Sequence, residues 1–215
     1  MNKVREKTLR LVTSGVLLGL ATVLSMIKVF ELPFGGSITL FSMVPILVLS
    51  YMYGTKWGLL CGTVFGVLQM VLGATTTQAF AGVSGWSVPV MALLDCIVAF
   101  MVLGFAGIFK NKMKNKTLSA TLGSAFAVFM RFLCHFFSGW ILWGGYATGF
   151  FEGLSNSFGN FMLSSFNGQL LAALYSLVYN GSYMLFELII SVLGVVAIMM
   201  VKPLREKIVL GNLTA

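Results

Sequence analysis

Apolar residues form six long runs along the chain, separated by short stretches that are polar, basic or rich in glycine. A run of about 20 apolar residues can cross a hydrocarbon core of about 30 Å as a helix. We therefore predict one membrane domain over residues 1–215 with six helices, at approximately 11–29, 38–53, 57–73, 87–109, 119–143 and 170–201. Pro45 falls inside the second run, and a proline there interrupts a helix.

The connections between these runs differ in character. The first contains Pro33, Gly35 and Gly36 and predicts a loop, and residues 74–85 form a polar, uncharged loop. The longest connection, 144–169, is rich in Gly, Ser, Asn and Phe and predicts a long outer loop. A connection of this length is often functional.

Composition supports a membrane protein and excludes a nucleic-acid-binding one. The chain is 58% hydrophobic and 9% charged, whereas a soluble domain has about 25% charged residues. Its net charge is +8, but all Lys and Arg residues except Lys28 and Arg131 lie at the termini or in short connections at Lys56 and 110–116. Positive charge marks cytoplasmic segments. The prediction is an all-α integral membrane six-helix bundle with both termini cytoplasmic.

Catalytic, metal-binding and cofactor-binding motifs do not occur in the sequence. Cys61, Cys96 and Cys134 all fall in apolar runs without metal-ligand spacing, so neither a disulfide framework nor a metal site is expected. The chain contains no G-x-x-x-x-G-K-[ST], G-x-S-x-G or H-E-x-x-H motif. We predict no catalytic residues and no cofactor. Six runs without two similar halves also disfavour an inverted-repeat transporter.

A polar and aromatic stripe follows one face of the fifth predicted helix, in the segment RFLCHFFSGWILWGGY. At about 100° per residue, Arg131, His135 and Gly139 share a face. Trp143 and Tyr146 lie within a quarter turn of His135. Ionisable groups inside a bilayer are costly and usually functional. We predict ligand contacts for His135, Gly139, Trp143 and Tyr146; the alternatives are a packed core histidine and interfacial aromatic residues.

Two carboxylates fall inside predicted helices. Asp95 lies about two turns into the fourth helix and is a candidate ligand contact, because isolated membrane carboxylates are usually functional. The alternatives are an ion pair with Arg131 and a hydrogen bond to a neighbouring helix. Glu187 lies deeper in the last helix, and we expect it to pair with Arg131.

The last predicted helix contains the pattern YSLVYNGSY, which spaces Tyr175, Tyr179 and Tyr183 at four-residue intervals. This pattern fits an aromatic belt at the membrane interface. It also offers Asn180 and several hydroxyl groups as hydrogen-bonding partners beside Asp95. A flat, cationic, nitrogen-rich ligand would use both the rings and the carboxylate. We therefore include Tyr175 and Asn180 in the predicted ligand site.

Gly15 and Gly19 form a small-x-x-x-small pattern in the first predicted helix. Small residues at this spacing allow a second helix to approach closely. The approaching helix could belong to the same bundle or to a partner subunit, and the pattern does not distinguish the two.

Together these motifs resemble the thiamine-specific substrate-binding subunit, or S component, of energy-coupling factor (ECF) transporters. The resemblance covers nearly the whole chain and is most specific in RFLCHFFSGWILWGGY and YSLVYN; it also includes GGSITLFSMVPI, WGLLCGTVFGVLQM and LLDCIVAFMVLGFAG. It implies a plasma-membrane bundle that captures thiamine at the outer face. It further implies two kinds of protein partner, a transmembrane coupling subunit and two ATPase subunits.

The resemblance also implies a role for individual residues. The acidic residue that binds the pyrimidine ring corresponds to Asp95, and the stacking residues correspond to His135 and Trp143. Three further ligand-site positions correspond to Gly139, Tyr175 and Asn180, and the small residues that dock on the coupling subunit correspond to Gly15 and Gly19.

The sequence departs from the family pattern in several places. The acid is Asp95 where members can have Glu, and the residue after it is Cys96 instead of an aromatic. Phe65 and Gly35 to Gly36 occupy positions where some members have Trp, and the stretch after Trp143 is longer. A related pyrimidine or another vitamin therefore remains an alternative ligand. A stand-alone secondary transporter and a membrane enzyme are the alternative classes.

Overall fold

Helices dominate the computed structural model, which describes residues 3–32, 36–76 and 85–211. Within these residues the helices are α1 Lys3–Met26, α2 Val44–Tyr53, α3 Thr55–Thr76, α4 Ser87–Gly107, α5 Lys116–Leu142, α6 Ala147–Gly153, α7 Ser157–Ser165, α8 Gly168–Met200 and α9 Lys202–Leu210. Five of them, α1, α3, α4, α5 and α8, have the length and apolar character of membrane spans. The six predicted spans are therefore five helices of spanning length and the shorter apolar α2.

Helix α2 is shorter than the sequence pattern suggested. Its 10 residues extend about 15 Å, half of a hydrocarbon core of about 30 Å. The helix begins at Val44 because Ser37–Thr39 forms a strand before it. Pro45 then lies in the first turn, where a missing backbone N–H costs little, and it does not interrupt the helix. Nearly all of α2 is buried, so it lies inside the bundle.

A small antiparallel hairpin joins α1 to α2. Its strands are β1, Lys28–Glu31, and β2, Ser37–Thr39. The first helix therefore ends at Met26, three residues before its predicted end. Pro33 and Gly35 of the predicted loop lie outside the described residues, as do residues 77–84 of the second predicted loop.

Helix α4 is irregular in the region that holds its carboxylate. Residues Ala92–Val98 are π-helical and Val102–Gly107 are 3-10 helical. Helix α3 presses against this region through its glycines: a Cβ on Gly66 would lie 2.5 Å from the carbonyl oxygen of Cys96. The side chain of Ser50 accepts a hydrogen bond from Gly107 N at 2.9 Å, which attaches α2 to the end of α4. Close packing therefore fixes both halves of α4.

Basic segments meet at one end of the bundle, as the charge pattern predicted. This basic end contains the start of α1, the α2–α3 turn, residues 108–115 and α9. The guanidinium of Arg10 lies 3.5 Å from the ring centroid of Trp57 and links α1 to α3. Lys110 Nζ donates a hydrogen bond to Met52 O at 2.7 Å. Burial, with the nearby charge of Lys116, lowers the pKa of Lys110.

The stretch 144–169, predicted as a long loop, contains the two short helices α6 and α7. Their apolar residues Phe151 and Met162 are buried against Trp143 and Tyr175. Asn156 caps α7 by accepting a hydrogen bond from Gly159 N at 2.8 Å. The stretch therefore forms a helical layer over the outer ends of α5 and α8, capped by Asn156 and packed through Phe151 and Met162.

Candidate ligand-binding cavity

A cavity of about 410 Å³ lies between α3, α4, α5, α8 and the hairpin, at the end of the bundle opposite the basic end. Six residues predicted from the sequence line it: Asp95, His135, Gly139, Trp143, Tyr175 and Asn180. The seventh, Tyr146, lies outside the cavity wall and is 41% exposed. Its ring centroid is 5.6 Å from that of Trp143. The structure thus brings together residues from three separate helices.

Asp95 is held by two side chains of α5. Its Oδ1 lies 2.8 Å from Nδ1 of His135, and Ser138 donates a hydrogen bond to its Oδ2. The carboxylate belongs to the π-helical part of α4, and wide helical turns of this kind are frequent at functional sites. Each carboxylate oxygen can accept more than one hydrogen bond. Asp95 can therefore accept ligand donors while it keeps both protein partners.

Arg131 lies deeper in the cavity wall, one turn before His135. Its Nε donates a hydrogen bond to Nε2 of His135 at 3.3 Å, and its guanidinium lies 4.1 Å from the ring centroid of Phe100. The expected ion pair with Glu187 is not formed: across the described ranges, neither carboxylate of the bundle interior lies within 4.0 Å of Arg131. Glu187 instead accepts hydrogen bonds from Thr39.

The contacts of Glu187 tie the hairpin to α8. Its Oε1 accepts from Thr39 N at 2.5 Å and from Thr39 Oγ1 at 2.8 Å, and the same hydroxyl lies 2.6 Å from Ser42 Oγ. Both of these hydrogen bonds go to Oε1, and the second oxygen, Oε2, is buried without a hydrogen-bond partner among the described residues. Glu187 therefore has a structural role, as expected, but with a different partner.

Aromatic side chains form one wall of the cavity. Trp143 is 7% exposed and Tyr175 is 3% exposed. Phe150 of α6 packs against Tyr175, and the two ring centroids are 5.1 Å apart. The Tyr175 and Tyr179 ring centroids are 5.8 Å apart. The tyrosine pattern therefore lines the cavity, and Tyr179 and Tyr183 join the wall alongside the predicted residues.

Gly139 and Asn180 join α5 to α8 beside the cavity. A Cβ on Gly139 would clash with Ser176 Oγ and lie 2.7 Å from Nδ2 of Asn180. Asn180 donates to His135 O at 3.1 Å and accepts from the hydroxyl of Tyr183 at 2.9 Å. The helices approach closely here only because residue 139 is glycine. Asn180 therefore positions the backbone of the histidine turn as well as lining the cavity.

Sequence reasoning missed three polar residues that shape the site. Ser138, Ser176 and Thr39 each donate or accept a buried hydrogen bond beside the cavity. Only Ser138 carried a usable signal, because it lies three residues after His135 and so falls near the same helix face. Thr39 lies in a strand that the apolar pattern did not predict.

No metal site accompanies the cavity within the part of the chain that the structure describes. Groups of three or more His, Cys, Asp or Glu side chains do not occur there. Cys61, Cys96 and Cys134 are free thiols, and Cys96 lines the cavity.

Gly15 and Gly19 lie on an open face of α1. A Cβ built on either glycine meets no heavy atom within 4 Å. Among the described residues, no helix packs against these two glycines, which disfavours the interpretation that the pattern serves packing within the bundle. The neighbouring side chains on this face, Val16 and Leu20, are also exposed.

Five helices of spanning length around a polar and aromatic cavity define a multi-pass membrane protein with an internal cavity. The family described as thiamine transporter protein (Thia_YuaJ) matches residues 11–207, and the chain belongs to this family. The chain is therefore a transporter protein of the bacterial plasma membrane and not an enzyme. The resemblance seen in the motifs is confirmed at the level of the thiamine transporter family.

Individual relatives agree with this assignment. The thiamine transporter ThiT of Bacillus subtilis (strain 168) is 28% identical over 209 residues, covering 92% of this chain and 94% of the relative. ThiT of Lacticaseibacillus paracasei is 25% identical over 174 residues, covering 76% of this chain and 73% of the relative. The solved structure of ThiT from Listeria monocytogenes has the same fold, with a TM-score of 0.68 and 22% identity over 94% of this chain and 98% of that one.

Proposed function

We propose that the protein is the thiamine-binding S component of an ECF-type ABC importer. The observation that carries the proposal is the convergence of six residues, predicted before the fold was known, on one cavity in a member of the thiamine transporter family. The cavity combines a partly buried carboxylate with aromatic rings. Thiamine combines an aminopyrimidine that donates hydrogen bonds with a cationic thiazolium ring, so each half finds a complementary surface.

The carboxylate of Asp95 is the proposed anchor for the aminopyrimidine. Tyr175 and Asn180 complete the polar contacts of that ring, and the thiazolium ring lies between His135 and Trp143. A hydrogen bond to a charged acceptor contributes about 1.5–3 kcal/mol, which makes Asp95 the strongest single polar contact available in this wall. Gly139 lets α8 approach the histidine turn closely and so brings Asn180 beside the proposed ligand.

The face of α1 around Gly15 and Gly19 is the proposed docking surface for the transmembrane coupling subunit. The open space above both glycines supports this role, because it lets a partner helix approach the α1 backbone. Two separate ATPase subunits would supply the energy, since the chain has no nucleotide-binding motif of its own. The basic end, with both termini, faces the cytoplasm in this proposal, and the cavity faces outward.

Titration of the purified, detergent-solubilised chain with thiamine tests the ligand assignment. Saturable quenching of Trp fluorescence is the expected result, because a stacked ligand would lie beside Trp143. The separated pyrimidine and thiazole halves and riboflavin serve as comparison ligands. A stronger response to one of these than to thiamine would move the assignment to that compound, the second candidate favoured by the shorter acid at Asp95.

Substitution of Gly15 by Trp tests the docking role. The variant should bind thiamine as the parent does and lose uptake in vesicles that also contain the coupling and ATPase subunits. Gly149→Trp is the matched control, because Gly149 is also a helical glycine with open space around it. Thiamine accumulation by the chain alone would instead indicate a stand-alone transporter, and chemical conversion of thiamine would indicate an enzyme.

A further inference from the structure

Arg131 is enclosed by groups that fix its orientation without neutralising it. Its guanidinium lies over the ring of Phe100 at 4.1 Å, and one terminal nitrogen donates to the sulfur of Met43 at 2.7 Å. Its Nε–H points at Nε2 of His135 at 3.3 Å. A cation–π contact and a sulfur contact hold the plane of the guanidinium without an opposite charge.

The two carboxylates nearby are each held by other donors. Asp95 accepts from His135 and Ser138, and Glu187 accepts from Thr39. Arginine in a bilayer usually pairs with an acid. In this chain the side chain of Arg131 instead donates a hydrogen bond to a ring nitrogen of His135, so its charge lies directly beside that ring.

The hydrogen-bond directions determine the tautomer of His135. A guanidinium has only donors, so Nε2 of the ring must accept through its lone pair and carry no proton. The ring's single proton then lies on Nδ1 and is donated to Asp95 Oδ1 at 2.8 Å. A doubly protonated ring would place an N–H against the N–H of Arg131, beside a full positive charge. The arrangement therefore favours a neutral imidazole.

We propose that Arg131 is a positioning residue that keeps His135 neutral and in its Nδ1–H form. The effect on ligand binding rests on the proposed function, in which the ligand carries a cationic thiazolium ring. A neutral imidazole can stack on that ring, whereas an imidazolium would repel it. Arg131 thereby keeps the affinity for a cationic ligand constant as the medium is acidified.

Other charged or titratable groups also face the cavity and the neighbourhood of His135. They come from every surrounding element: Lys28 from β1, Asp95 and Cys96 from α4, Cys134 from α5, and Tyr175, Tyr179, Tyr183 and Glu187 from α8. Arg131 is the group that donates a hydrogen bond to Nε2 of His135, whereas Asp95 lies on the other ring nitrogen, Nδ1. Removing Arg131 would therefore free that nitrogen for a second proton.

Nitrogen-15 NMR of histidine-labelled protein tests the tautomer directly. His135 is the chain's single histidine, so its ring signals need no assignment if the protein carries no histidine tag. The parent protein, without added thiamine, should show a protonated Nδ1 and an unprotonated Nε2 from about pH 8 to about pH 5, whereas an unperturbed histidine takes its second proton near pH 6.5. An Nε2–H tautomer, or an imidazolium at about pH 6, would overturn the proposal.

Arg131→Met removes the charge and retains an apolar side chain beside Phe100. Its His135 should take a second proton in mildly acidic medium, and its thiamine affinity should fall about tenfold more between about pH 7.5 and pH 5.5 than that of the parent. Arg10→Met, at the basic end, is the matched control and should leave both properties unchanged. An equal loss of affinity at both pH values would reduce Arg131 to a packing role.

The two measurements separate this inference from the proposed function. If the parent protein failed to bind thiamine, the proposed function would fail, while the NMR spectrum would still decide the state of His135. If Arg131→Met did not fold, the spectrum of the parent protein alone would support or overturn the tautomer. In the double variant Arg131→Met, His135→Phe, thiamine affinity should change with pH no more than in the parent protein, whatever its absolute value.

Discussion

Asp95 and His135 lie 40 positions apart in the sequence and form a hydrogen bond of 2.8 Å across the α4–α5 interface. The bond joins the predicted acidic anchor to the predicted stacking residue. Ser138 adds a second bond to the same carboxylate. The orientation of Asp95 is thus set by α5, although its backbone belongs to α4.

Asp95→Asn should weaken thiamine binding by at least about tenfold, which corresponds to about 1.4 kcal/mol. The amide keeps the size of the side chain but loses the charge, and one end of it would present a donor to Ser138 or His135. Tryptophan fluorescence titration of the purified variant measures the change.

Asp95→Glu is the control for this experiment, because it keeps the charge and lengthens the side chain by one methylene. We expect its affinity to lie closer to that of the parent than the affinity of Asp95→Asn does. If Asp95→Asn bound thiamine as tightly as the parent, Asp95 would not be the polar anchor of the site.

Trp143 should account for most of the fluorescence change on thiamine binding. Trp143 is buried and lines the cavity, whereas Trp140 points away and donates a hydrogen bond to Gln169 at 3.1 Å. Trp143→Phe should remove most of the quenching and lower affinity several-fold, since aromatic stacking contributes about 0.5–1.5 kcal/mol. Trp140→Phe should retain both the quenching and the affinity. If Trp140→Phe lost them and Trp143→Phe kept them, the ligand would lie beside Trp140.

Thr39→Val should lower the stability of the protein by about 1–3 kcal/mol. The substitution keeps the side-chain shape but removes the hydroxyl that donates to Glu187 and contacts Ser42, leaving buried polar groups with one partner fewer. The midpoint temperature of thermal unfolding in detergent measures the effect. Thr39→Ser keeps the hydroxyl and should unfold near the parent temperature; equal losses in both variants would assign the effect to packing.

Glycine-to-alanine substitutions should separate the two kinds of glycine in the bundle. A Cβ on Gly104 would clash with the backbone of Gly58 and Leu59, so Gly104→Ala should destabilise the protein by about 1–3 kcal/mol. Gly15→Ala meets open space and should leave stability unchanged or raise it by up to about 1 kcal/mol. Thermal unfolding compares them, and destabilisation by Gly15→Ala would show that α1 packs more closely than described.

The sequence predicted the helical class, the approximate positions of the long helices and six of the residues that line the cavity. Membrane helices are easy to predict because a long apolar run in a bilayer can form few structures other than a helix. Arg131, His135 and Trp143 were recognisable for the related reason that polar groups inside such runs are rare. The convergence of α4, α5 and α8 followed once those helices formed one bundle.

The remaining features depend on tertiary contacts that periodicity does not encode. The hairpin strand Ser37–Thr39 is apolar enough to resemble the start of a helix, and its pairing with Lys28–Glu31 is what excludes that interpretation. The partner of Glu187 could not be predicted because Thr39 belongs to that strand. Helices α6 and α7 were not predicted because their segment is rich in Gly, Ser and Asn, residues that also favour loops.

The π-helical turn at Ala92–Val98 makes the site sensitive to chain length as well as to residue type. A wide turn of this kind is equivalent to one extra residue inserted into an α-helix. Deleting one residue there would remove the wide turn and change the direction in which α4 presents Asp95 to α5. The chain would keep its apolar span and its acid, but the acid would point away from His135. The chemistry of the cavity therefore depends on the number of residues in this turn as well as on their identity.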